Sequence, residues 1–495
     1  MSKEECNKLR KEDIMEVTRD FDLRHWLDYV AGTNEIKYLN GTDWNEEIGT
    51  ISELNQRTGR YCLLFDEIKG YPKGYRIITG SISSLRRISY TLNVQEETNW
   101  LGIVNGIRKR LNKFEPLPPK EVTGGPVLEN VQTGDKIDLF QFPTPKWHKF
   151  DGARYIGTAT QVIMKDPDDG WVNVGTYRTS IIDKNHLTTF IVRGKDDDII
   201  REKYFAKGKP CPAAIVFGAD PLLFVLSATP TTPFGTSEYD VAGYFLGRPL
   251  EVIRGEVTGL PLPATAEIVV EGEYSPTEKV VEGPFGEWTG YYYGHSHAPE
   301  PLFTVKSLMF RNEPIILGAP PCGPYSDAEP YTSAFMASGI WQELENAGIP
   351  GVVGVFRPRS GCNWTFTVVA IKQMYPGHSK AAATIAGMCK SGSYACKYII
   401  VVDDDIDPSD LEQVMWAVCI RSRPGNIDII RNCFTSSCDF TGYGGQPPER
   451  LNLYTDRCII DACVPWAIRS SVSSTTFAKP EDMRKVKDKW GPLLT

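Results

Sequence analysis

The segment WVNVGTYRTSIIDKN, residues 171–185, holds polar side chains that can bind ions. On a strand, successive side chains point to opposite faces, so Asn173 and Arg178 are expected on different sides. A Gly-Thr pair inside a strand often marks a bulge or a close backbone approach, and a bulge would let the two converge on one site. Asn173 offers a neutral oxygen ligand, and Arg178 offers a permanently charged fork for a carboxylate or phosphate. Taken alone, the segment favours a plainer interpretation, an edge strand with an exposed arginine.

Two further segments carry acids beside rigid turns. In TTPFGTSEYDVAG, residues 231–243, a Pro-Phe-Gly turn leads to Glu238 ahead of a predicted helix. Glu238 is either a first-turn acid stabilised by the helix dipole or a metal ligand, and this segment alone does not decide. In EGPFGEWTGYYYG, residues 282–294, Glu282 and Glu287 flank a Gly-Pro-Phe-Gly turn. The turn either holds both acids towards one cavity, where one orients an arginine and the other exchanges a proton, or leaves them solvated at the surface.

The elements that must position these residues fall into three regions. The linker EPLPPKEVTGGPVLEN, residues 115–130, is rich in proline and glycine and predicts the first boundary. We predict an N-terminal α/β domain at residues 1–120 and a C-terminal α/β domain at residues 321–495. Between them, residues 121–320 consist of short β-branched runs separated by turn residues, which predicts a mostly antiparallel domain of barrel type.

Individual elements can be predicted from the spacing of apolar residues. The segment DLRHWLDYV, residues 22–30, has apolar residues at helical spacing. The runs IGTATQVIM, residues 156–164, and WVNVGTYRTSIID, residues 171–183, are each predicted as one β-rich run. The near-continuous apolar run KYIIVVDDDI, residues 397–406, predicts a strand buried on both faces.

The composition excludes several classes of protein. Of 495 residues, 41% are hydrophobic and 23% are charged, which excludes a disordered chain and a small disulfide scaffold. The net charge of −8 does not indicate a basic surface of the kind that binds nucleic acid non-specifically. No apolar run approaches the roughly 18 residues that a membrane span needs. The charged N-terminus has no signal-peptide core, so we expect a soluble, cytoplasmic protein.

Common cofactor and metal signatures are missing from the sequence. There is no GxxxxGK[ST] motif and no strand-anchored GxGxxG motif, which disfavours ATP-driven chemistry and an ordinary dinucleotide domain. The 12 cysteines form no CxxC pair, which favours reduced thiols over a zinc site. His295 and His297 form an HxH pair on a predicted loop, which by itself is weak support for a metal site.

Taken together, the motifs resemble those of one enzyme family. NVGTYR (173–178), PFGTSE (233–238) and EGPFGE (282–287) occur in the order and approximate spacing of the UbiD family of prenylated-FMN-dependent decarboxylases. The resemblance runs from KGYP (69–72) to DDDID (403–407) and is closest to the branch with an Arg-Glu-Glu catalytic set. It implies an α/β and β multidomain fold, in which a central split β-barrel binds the flavin. The barrel is flanked by an N-terminal α/β domain and a C-terminal α/β domain used in oligomerisation.

The resemblance also implies roles for individual residues. Arg178 binds the substrate carboxylate, Glu282 holds Arg178, and Glu287 supplies the proton that replaces CO₂. A proton donor must be neutral at working pH, so burial is expected to keep Glu287 protonated. Trp288 directly follows this acid and is expected to shape the substrate pocket. The residues implied in cofactor binding are Asn173, Val174, Gly175, Thr176, Tyr177, Arg178, Lys195, Asp196, Glu238 and Lys390.

The implied metal site departs from the family pattern at one ligand. In the family, an Asn, a His and a Glu bind a divalent ion that bridges to the cofactor phosphate. Asn173 and Glu238 match two of these residues, and the alignment places Asp196 at the histidine position. Either Asp196 or a water ligates the ion, although the acidic run that begins there is also consistent with a solvated turn. Oxygen ligands fit Mn²⁺ or Mg²⁺, with K⁺ expected nearby at the backbone of residues 227–229 and shared Glu238.

The implied activity is reversible, non-oxidative decarboxylation of an aromatic or α,β-unsaturated carboxylic acid through a covalent prenylated-FMN adduct. The cofactor provides an electron sink that side chains lack. The implied partners are the acid, CO₂, a flavin prenyltransferase that supplies the cofactor, and further copies of the chain in a homodimer or larger homo-oligomer. Two alternatives stay open: a structural or cofactor-binding subunit of a multi-component aromatic carboxylase, and a reductase-like barrel with unmodified FMN. The sequence encodes neither the substrate nor the direction of reaction.

Overall fold

The computed structural model describes most of the chain. The described residues are 19–94, 99–229, 232, 234–292, 299–327, 329–436, 438–443, 453–472, 475–478 and 480–494. Within them, the chain forms three regions in sequence order, each built on a sheet.

The N-terminal region combines helices with a four-stranded sheet. Its elements are α1 (Leu23–Ala31), β1 (Ile36–Asn40), α2 (Glu47–Thr58), β2 (Cys62–Asp66), β3 (Arg76–Thr79), α3 (Leu85–Thr91) and α4 (Trp100–Leu111). The helix predicted at residues 22–30 is confirmed, because α1 buries its apolar face and Asp22 caps its first turn. The fourth strand of the sheet, Ile315–Leu317, comes from much later in the chain and pairs in parallel with β3. The last strand of the middle region is therefore part of the N-terminal sheet.

The middle region is built on an antiparallel sheet of nine strands. The elements of this region are β4 (Lys120–Glu121), β5 (Asn130–Thr133), β6 (Arg154–Gly157), β7 (Gln161–Lys165), β8 (Val172–Gly175), β9 (Thr179–Ile181), β10 (His186–Thr189), α5 (Asp196–Phe205), β11 (Cys211–Val216), α6 (Pro221–Ser227), α7 (Glu238–Leu246), β12 (Glu251–Arg254), β13 (Pro261–Pro263), β14 (Ile268–Val281), β15 (Pro299–Phe310) and β16 (Ile315–Leu317). The strand order is β6-β9-β10-β15-β14-β11-β7-β8, with β5 on β15. The three short strands β13-β12-β4 form a separate sheet.

The nine-stranded sheet curls into a half-barrel. In the strand order, β8 lies at one end and β9 lies next to the other end, yet only Thr176, Tyr177 and Arg178 connect them. So short a connection spans at most about 14 Å, so the two ends of the sheet must come close together. The predicted split barrel is confirmed, and the motif NVGTYR lies where its edges approach.

Two β-rich runs are broken where a single run was predicted. Residues 156–164 divide into β6, which ends at Gly157, and β7, and the chain bends between them so that a Cβ on Gly157 would lie 2.0 Å from Cγ2 of Thr160. Residues 171–183 divide into β8 and β9 at Thr176–Arg178. The sheet therefore has a strand break at the Gly-Thr pair where we expected a bulge.

The C-terminal region has a five-stranded sheet with helices. Its elements are α8 (Glu329–Asn346), β17 (Val352–Phe356), β18 (Phe366–Ile371), α9 (His378–Met388), α10 (Lys390–Ser393), β19 (Tyr398–Asp403), α11 (Leu411–Arg421), β20 (Asp428–Phe434), α12 (Phe440–Tyr443), β21 (Tyr454–Asp461) and α13 (Pro480–Leu494). The order is β17-β18-β19-β21-β20, with the three inner strands parallel. The buried strand predicted at residues 397–406 is confirmed as the central β19.

The three regions share apolar packing. One cluster of buried side chains runs from α1 through α6 and α7 of the middle region to α8 and β19. A second cluster joins one face of the nine-stranded sheet to the N-terminal sheet and includes Trp147, Tyr155 and Phe285. Among the described residues, no helix is long and apolar enough to cross a membrane, and each described cysteine is a free thiol.

Candidate active site

A buried arginine with two glutamates forms the first candidate cluster. Arg178 binds Glu282 in a bidentate manner, with Nε 2.9 Å from Oε1 and Nη2 2.7 Å from Oε2. Its Nη1 donates to Oε1 of Glu287. The three side chains are at most 7% exposed. The structure thus brings together the three residues predicted to be catalytic, and Arg178 is buried where the plainer interpretation expected an exposed arginine.

Aromatic rings cover the guanidinium and remove it from water. The Phe190 ring lies 4.1 Å from the Arg178 guanidinium carbon, and the Phe285 ring lies 5.1 Å away. Burial opposes the positive charge, but the carboxylates of Glu282 and Glu287 outweigh it and raise the pKa of Arg178 well above its usual range. Arg178 is therefore a permanent cation, and the cluster carries one surplus negative charge if both glutamates are ionised.

Residues 148–152 hold the turn between the two glutamates through hydrogen bonds. The amide of Gly152 donates to the carbonyl of Pro284 at 2.8 Å, and the amide of Gly286 donates to Oδ1 of Asp151 at 3.2 Å. A Cβ on Gly152 would meet the Gly283 carbonyl oxygen at 2.2 Å, so this close approach requires glycine. These contacts fix the backbone between Glu282 and Glu287, which the sequence could not show.

Tyr155 is a member of this cluster that sequence reasoning missed. Its hydroxyl donates to Oε1 of Glu282 at 2.9 Å, and its ring packs 4.3 Å from that of Phe285. Burial raises the pKa of Tyr155, so the phenol stays neutral and donates its proton to the hydrogen bond. Nothing in the run RYIGTAT distinguished this tyrosine from a core residue, because its partner lies far away in the sequence.

A second cluster lies at the start of the same motif. Nδ2 of Asn173 donates to Oδ1 of Asp197 at 2.8 Å, and the amide of Val174 donates to Oε2 of Glu238 at 2.8 Å. Both carboxylates are buried, and neither forms an ion pair with a residue in the described part of the chain. Burial is the main cause that raises the pKa of Asp197 to about 7 and that of Glu238 to about 8.

The carboxylate in contact with Asn173 belongs to Asp197. Asp196 begins α5 and is partly exposed, whereas Asp197 is fully buried against Asn173. The negative charge of Asp196 contributes to the raised pKa of Glu238, so it lies within electrostatic reach. Sequence reasoning missed Asp197, although it stood beside the residue chosen. The role of Asp196 as the third ligand stays a prediction.

The chemistry of this second set fits a hard cation. It combines an amide side chain with two buried carboxylates, and Oδ2 of Asp197 has no hydrogen bond to a described residue. Within the described residues, no three His, Cys, Asp or Glu side chains are grouped closely enough to hold a metal by themselves. A metal here would therefore need the amide oxygen of Asn173 as well as the acids.

The remaining predicted cofactor residues surround the two clusters. The amide of Thr176 donates to the carbonyl of Ser227 at 3.1 Å, and their hydroxyls lie 2.6 Å apart. A Cβ on Gly175 would lie 2.4 Å from Oδ2 of Asp197, so the close backbone approach is real. Nζ of Lys390 donates to the carbonyl of Thr232 at 2.7 Å. The pair His295 and His297 lies outside the described residues.

Trp288 begins a row of aromatic side chains, here called the aromatic wall, that continues with Trp364 and Tyr394 of the C-terminal region. Its ring centroid lies 6.3 Å from that of Trp364, which in turn lies 5.2 Å from that of Tyr394. Nζ of Lys195 lies 4.4 Å from the centroid of Tyr394. The wall begins beside Glu287, and the role of Trp288 in shaping a substrate pocket stays a prediction.

The sequence matches three domain families along its length. They are described as the N-terminal domain of 3-octaprenyl-4-hydroxybenzoate carboxy-lyase at residues 28–105, its Rift-related domain at residues 120–324 and its C-terminal domain at residues 331–462. The chain belongs to the UbiD family. It is accordingly a carboxy-lyase, as the sequence motifs implied.

Named relatives are decarboxylases of aromatic acids. The chain is 31% identical over 421 residues to the pyrrole-2-carboxylic acid decarboxylase of Pseudomonas aeruginosa, covering 81% of this chain and 83% of that protein. It is 30% identical over 431 residues to ferulic acid decarboxylase 1 of Saccharomyces cerevisiae, covering 83% of each.

Solved structures of UbiD enzymes share the fold. The UbiD-class enzyme HmfF from Pelotomaculum thermopropionicum in complex with FMN superposes with a TM-score of 0.81 at 27% identity, covering 94% of this chain and 98% of that chain. An evolved dimeric form of HmfF in complex with prFMN gives a TM-score of 0.77 at 27% identity, covering 93% and 97%. These likenesses confirm the predicted multidomain fold.

Proposed function

We propose that this UbiD enzyme catalyses the reversible, non-oxidative decarboxylation of an aromatic or α,β-unsaturated carboxylic acid with prenylated FMN. The observation that carries the proposal is the buried cluster of Arg178, Glu282 and Glu287, which combines a fixed cation with a potential proton donor. Its completeness disfavours a non-catalytic subunit, which has no need of all three residues. When bound, prenylated FMN supplies the electron sink that the side chains lack.

Arg178 has hydrogen-bond capacity left for a substrate. Beyond its three bonds to the glutamates, one N–H on each terminal nitrogen has no hydrogen bond to a residue that the structure describes. A substrate carboxylate that approaches these groups is held by charge-assisted hydrogen bonds. Glu282 and Tyr155 keep the guanidinium from rotating, since Glu282 binds two of its nitrogens and Tyr155 binds Glu282.

Glu287 is the group that exchanges the proton. It shares Arg178 with Glu282 in a buried site, so one proton on Glu287 cancels the surplus negative charge of the cluster. As the C–C bond to CO₂ breaks, Glu287 delivers this proton to the carbon that loses CO₂. In the direction of carboxylation, Glu287 accepts it instead.

The second cluster is proposed to hold the cofactor phosphate through Mn²⁺ or Mg²⁺, with K⁺ nearby. Asn173, Glu238 and Asp197 or Asp196 supply the oxygen ligands. Two buried carboxylates without an ion-pair partner among the described residues support a missing positive charge at this place. The backbone near Ser227, already joined to Thr176, is the predicted neighbourhood of K⁺. Lys195 and Lys390 are predicted as further cofactor contacts.

We also propose that the enzyme forms a homodimer or larger homo-oligomer through its C-terminal region. Helix α13 is amphipathic, and Met483, Val486 and Trp490 on it are 60%, 51% and 47% exposed. Their spacing of three and four residues places them on one face, which a second copy of the chain would cover. Native mass spectrometry of the wild type and of Trp490→Glu tests this, and an unchanged mass would contradict it.

The activity is tested with protein co-expressed with a flavin prenyltransferase. We expect CO₂ release from members of a panel of aromatic and acrylic acids, and no release by protein from cells that lack the prenyltransferase. Glu287→Gln is the matched control, because it changes one atom and keeps the shape of the site. Plain FMN or no flavin in folded protein supplied with Mn²⁺ and K⁺ would contradict the proposal.

A further inference from the structure

The carboxylate of Asp151 is buried next to the turn that carries Glu287. Its side chain is 0% exposed. Both of its oxygens accept hydrogen bonds from backbone amides, Oδ2 from His148 at 2.9 Å and Oδ1 from Gly286 at 3.2 Å. Since both acceptors are occupied inside the protein, this side chain is a fixed part of the site.

The local turn accounts for only one of these two bonds. The amide of Asp151 donates to the carbonyl of His148 at 3.1 Å, and the bond from the His148 amide to Oδ2 closes the same turn. Such a turn uses one oxygen of the carboxylate. The other oxygen accepts from Gly286, which lies 135 residues away in the sequence. Because Gly286 directly precedes Glu287, this second bond acts on the backbone of the proton donor.

The backbone on the other side of Glu287 is closed on itself. The amide of Glu287 donates to the carbonyl of Tyr291 at 3.0 Å, and the amide of Gly290 donates to the carbonyl of Glu287 at 2.8 Å. These bonds form one closed turn, and the bond from Gly286 to Asp151 fixes the chain where this turn begins. From this place the Glu287 carboxyl reaches the guanidinium of the first cluster.

The charge of Asp151 also reaches Tyr155. Burial is the main cause of the raised pKa of Tyr155, and the charges of Glu282 and Asp151 contribute to it. The phenol therefore stays neutral and donates to Glu282. Asp151 is thus connected to both glutamates of the cluster. One connection runs through the amide of Gly286, and the other runs through the phenol of Tyr155.

We propose that Asp151 is a positioning residue for the proton transfer, because it fixes the turn from which Glu287 delivers its proton. This inference rests on the proposed function. As the bond to CO₂ breaks, the proton leaves the Glu287 carboxyl for the carbon that held CO₂, and Asp151 neither gains nor loses a proton. Asparagine is a poor replacement, because Asp151 accepts on both oxygens and an amide would turn one N–H donor towards another.

The first experiment measures turnover in H₂O and in D₂O with an acid that the wild type decarboxylates. Asp151→Asn is compared with the wild type at equal content of prenylated FMN. We expect kcat to fall by about 10- to 100-fold, because a small displacement of the donor slows proton transfer, while KM changes by less than about threefold. The solvent isotope effect on kcat should rise, since delivery of the proton becomes rate-limiting. A loss of folded protein would lower kcat but leave the isotope effect unchanged.

Asp22→Asn is the matched control for this comparison. Asp22 and Asp151 are each 6% exposed, and Asp22 also accepts from a backbone amide, that of Arg24 at 2.7 Å. Asp22 caps α1 in the N-terminal region and belongs to neither cluster. We expect its substitution to leave kcat within about twofold of the wild type and the isotope effect unchanged. An unchanged isotope effect in Asp151→Asn, or an equal loss of kcat in both variants, would overturn the inference.

A second readout does not depend on turnover. Hydrogen exchange of residues 282–292, followed by mass spectrometry, reports how firmly the turn is held. We expect these amides to exchange at least about tenfold faster in Asp151→Asn than in the wild type, and at the wild-type rate in Asp22→Asn. Wild-type exchange in Asp151→Asn would contradict the positioning role, as would faster exchange with normal turnover. Failure of the proposed function is seen separately, as absence of CO₂ from every acid with the wild type.

Discussion

The clusters around Arg178 and around Asn173 begin on one short stretch of chain, yet their charges are balanced in opposite ways. Arg178 has two carboxylates within hydrogen-bond reach, so the first cluster contains its own cation. In the second, the buried carboxylates of Asp197 and Glu238 accept hydrogen bonds from the side-chain amide of Asn173 and the backbone amide of Val174, and burial is the main cause of the raised pKa of both. The first cluster balances its charge with its own cation, and we propose that the second is completed by a bound positive ion.

The difference indicates that the two ends of the motif NVGTYR have different functions. Because β8 ends at Gly175 and β9 begins at Thr179, one tight connection carries residues of both clusters. A group bound at the Asn173 end is thereby fixed in relation to Arg178. We propose that the second cluster holds the cofactor and that the first performs the proton chemistry beside it.

The largest expected effect comes from removing the cation that balances the first cluster. Arg178→Ala removes the cation that pairs with the buried carboxylates of Glu282 and Glu287, so we expect unfolding to become easier by about 3–5 kcal/mol. Decarboxylation should fall below detection. Denaturant unfolding and CO₂ release measure the two effects. Arg178→Lys is the control, since it keeps the charge but loses the bidentate geometry, and it should recover much of the stability without the activity.

Glu287→Gln should separate the chemistry from the binding of the cofactor. The amide keeps the contact with Arg178 but cannot exchange a proton, so turnover is expected to fall by about 10²- to 10⁴-fold. Prenylated FMN content, measured by intact cofactor mass, should not change. Full activity would remove Glu287 from the mechanism.

The second cluster can be tested by comparing neighbouring aspartates. Asp197→Asn removes a buried negative charge, so metal-free protein should gain up to about 1–3 kcal/mol in stability while its stabilisation by Mn²⁺ is lost. Asp196→Asn removes a partly exposed charge and should change metal-free stability by less than about 0.5 kcal/mol. Thermal unfolding with and without Mn²⁺ measures both. If only Asp196→Asn abolishes the effect of Mn²⁺, Asp196 is the ligand, as the sequence alignment predicts.

The smallest effect is expected from the hydroxyl of Tyr155. Tyr155→Phe removes one hydrogen bond to Glu282, so we expect kcat to fall by about tenfold because Arg178 is less firmly oriented. Tyr244→Phe is a matched control, because its hydroxyl donates at 2.7 Å to the carbonyl of Arg110, which belongs to neither cluster. A kcat that is equally reduced in both variants would contradict a positioning role for Tyr155.

The sequence predicted those parts of the site that local motifs carry. Arg178, Glu282 and Glu287 lie in compact motifs with turn residues, and the structure brings them together as expected. Tyr155 and Asp197 were missed, because their roles depend on contacts with residues distant in the sequence. The same limit applies to the sheet.

The break between β8 and β9 follows from how the sheet closes, which no local pattern states. The pattern of residues 171–183 is that of a continuous strand, and only the placement of β8 and β9 near opposite ends of the sheet requires the interruption. The helix at residues 22–30 and the strand at residues 397–406 were predicted well, because their apolar spacing is sufficient by itself.

The proposal that one cluster holds the cofactor and the other performs the proton chemistry is tested most directly by native mass spectrometry of cofactor content. CO₂ release is measured on the same samples. Wild type, Glu287→Gln and Glu238→Gln are each co-expressed with a flavin prenyltransferase and supplied with Mn²⁺ and K⁺. We predict the mass of prenylated FMN in the wild type and in Glu287→Gln, its loss in Glu238→Gln, and CO₂ only from the wild type. Retention of the cofactor by Glu238→Gln, or its absence from all three proteins, would contradict the account.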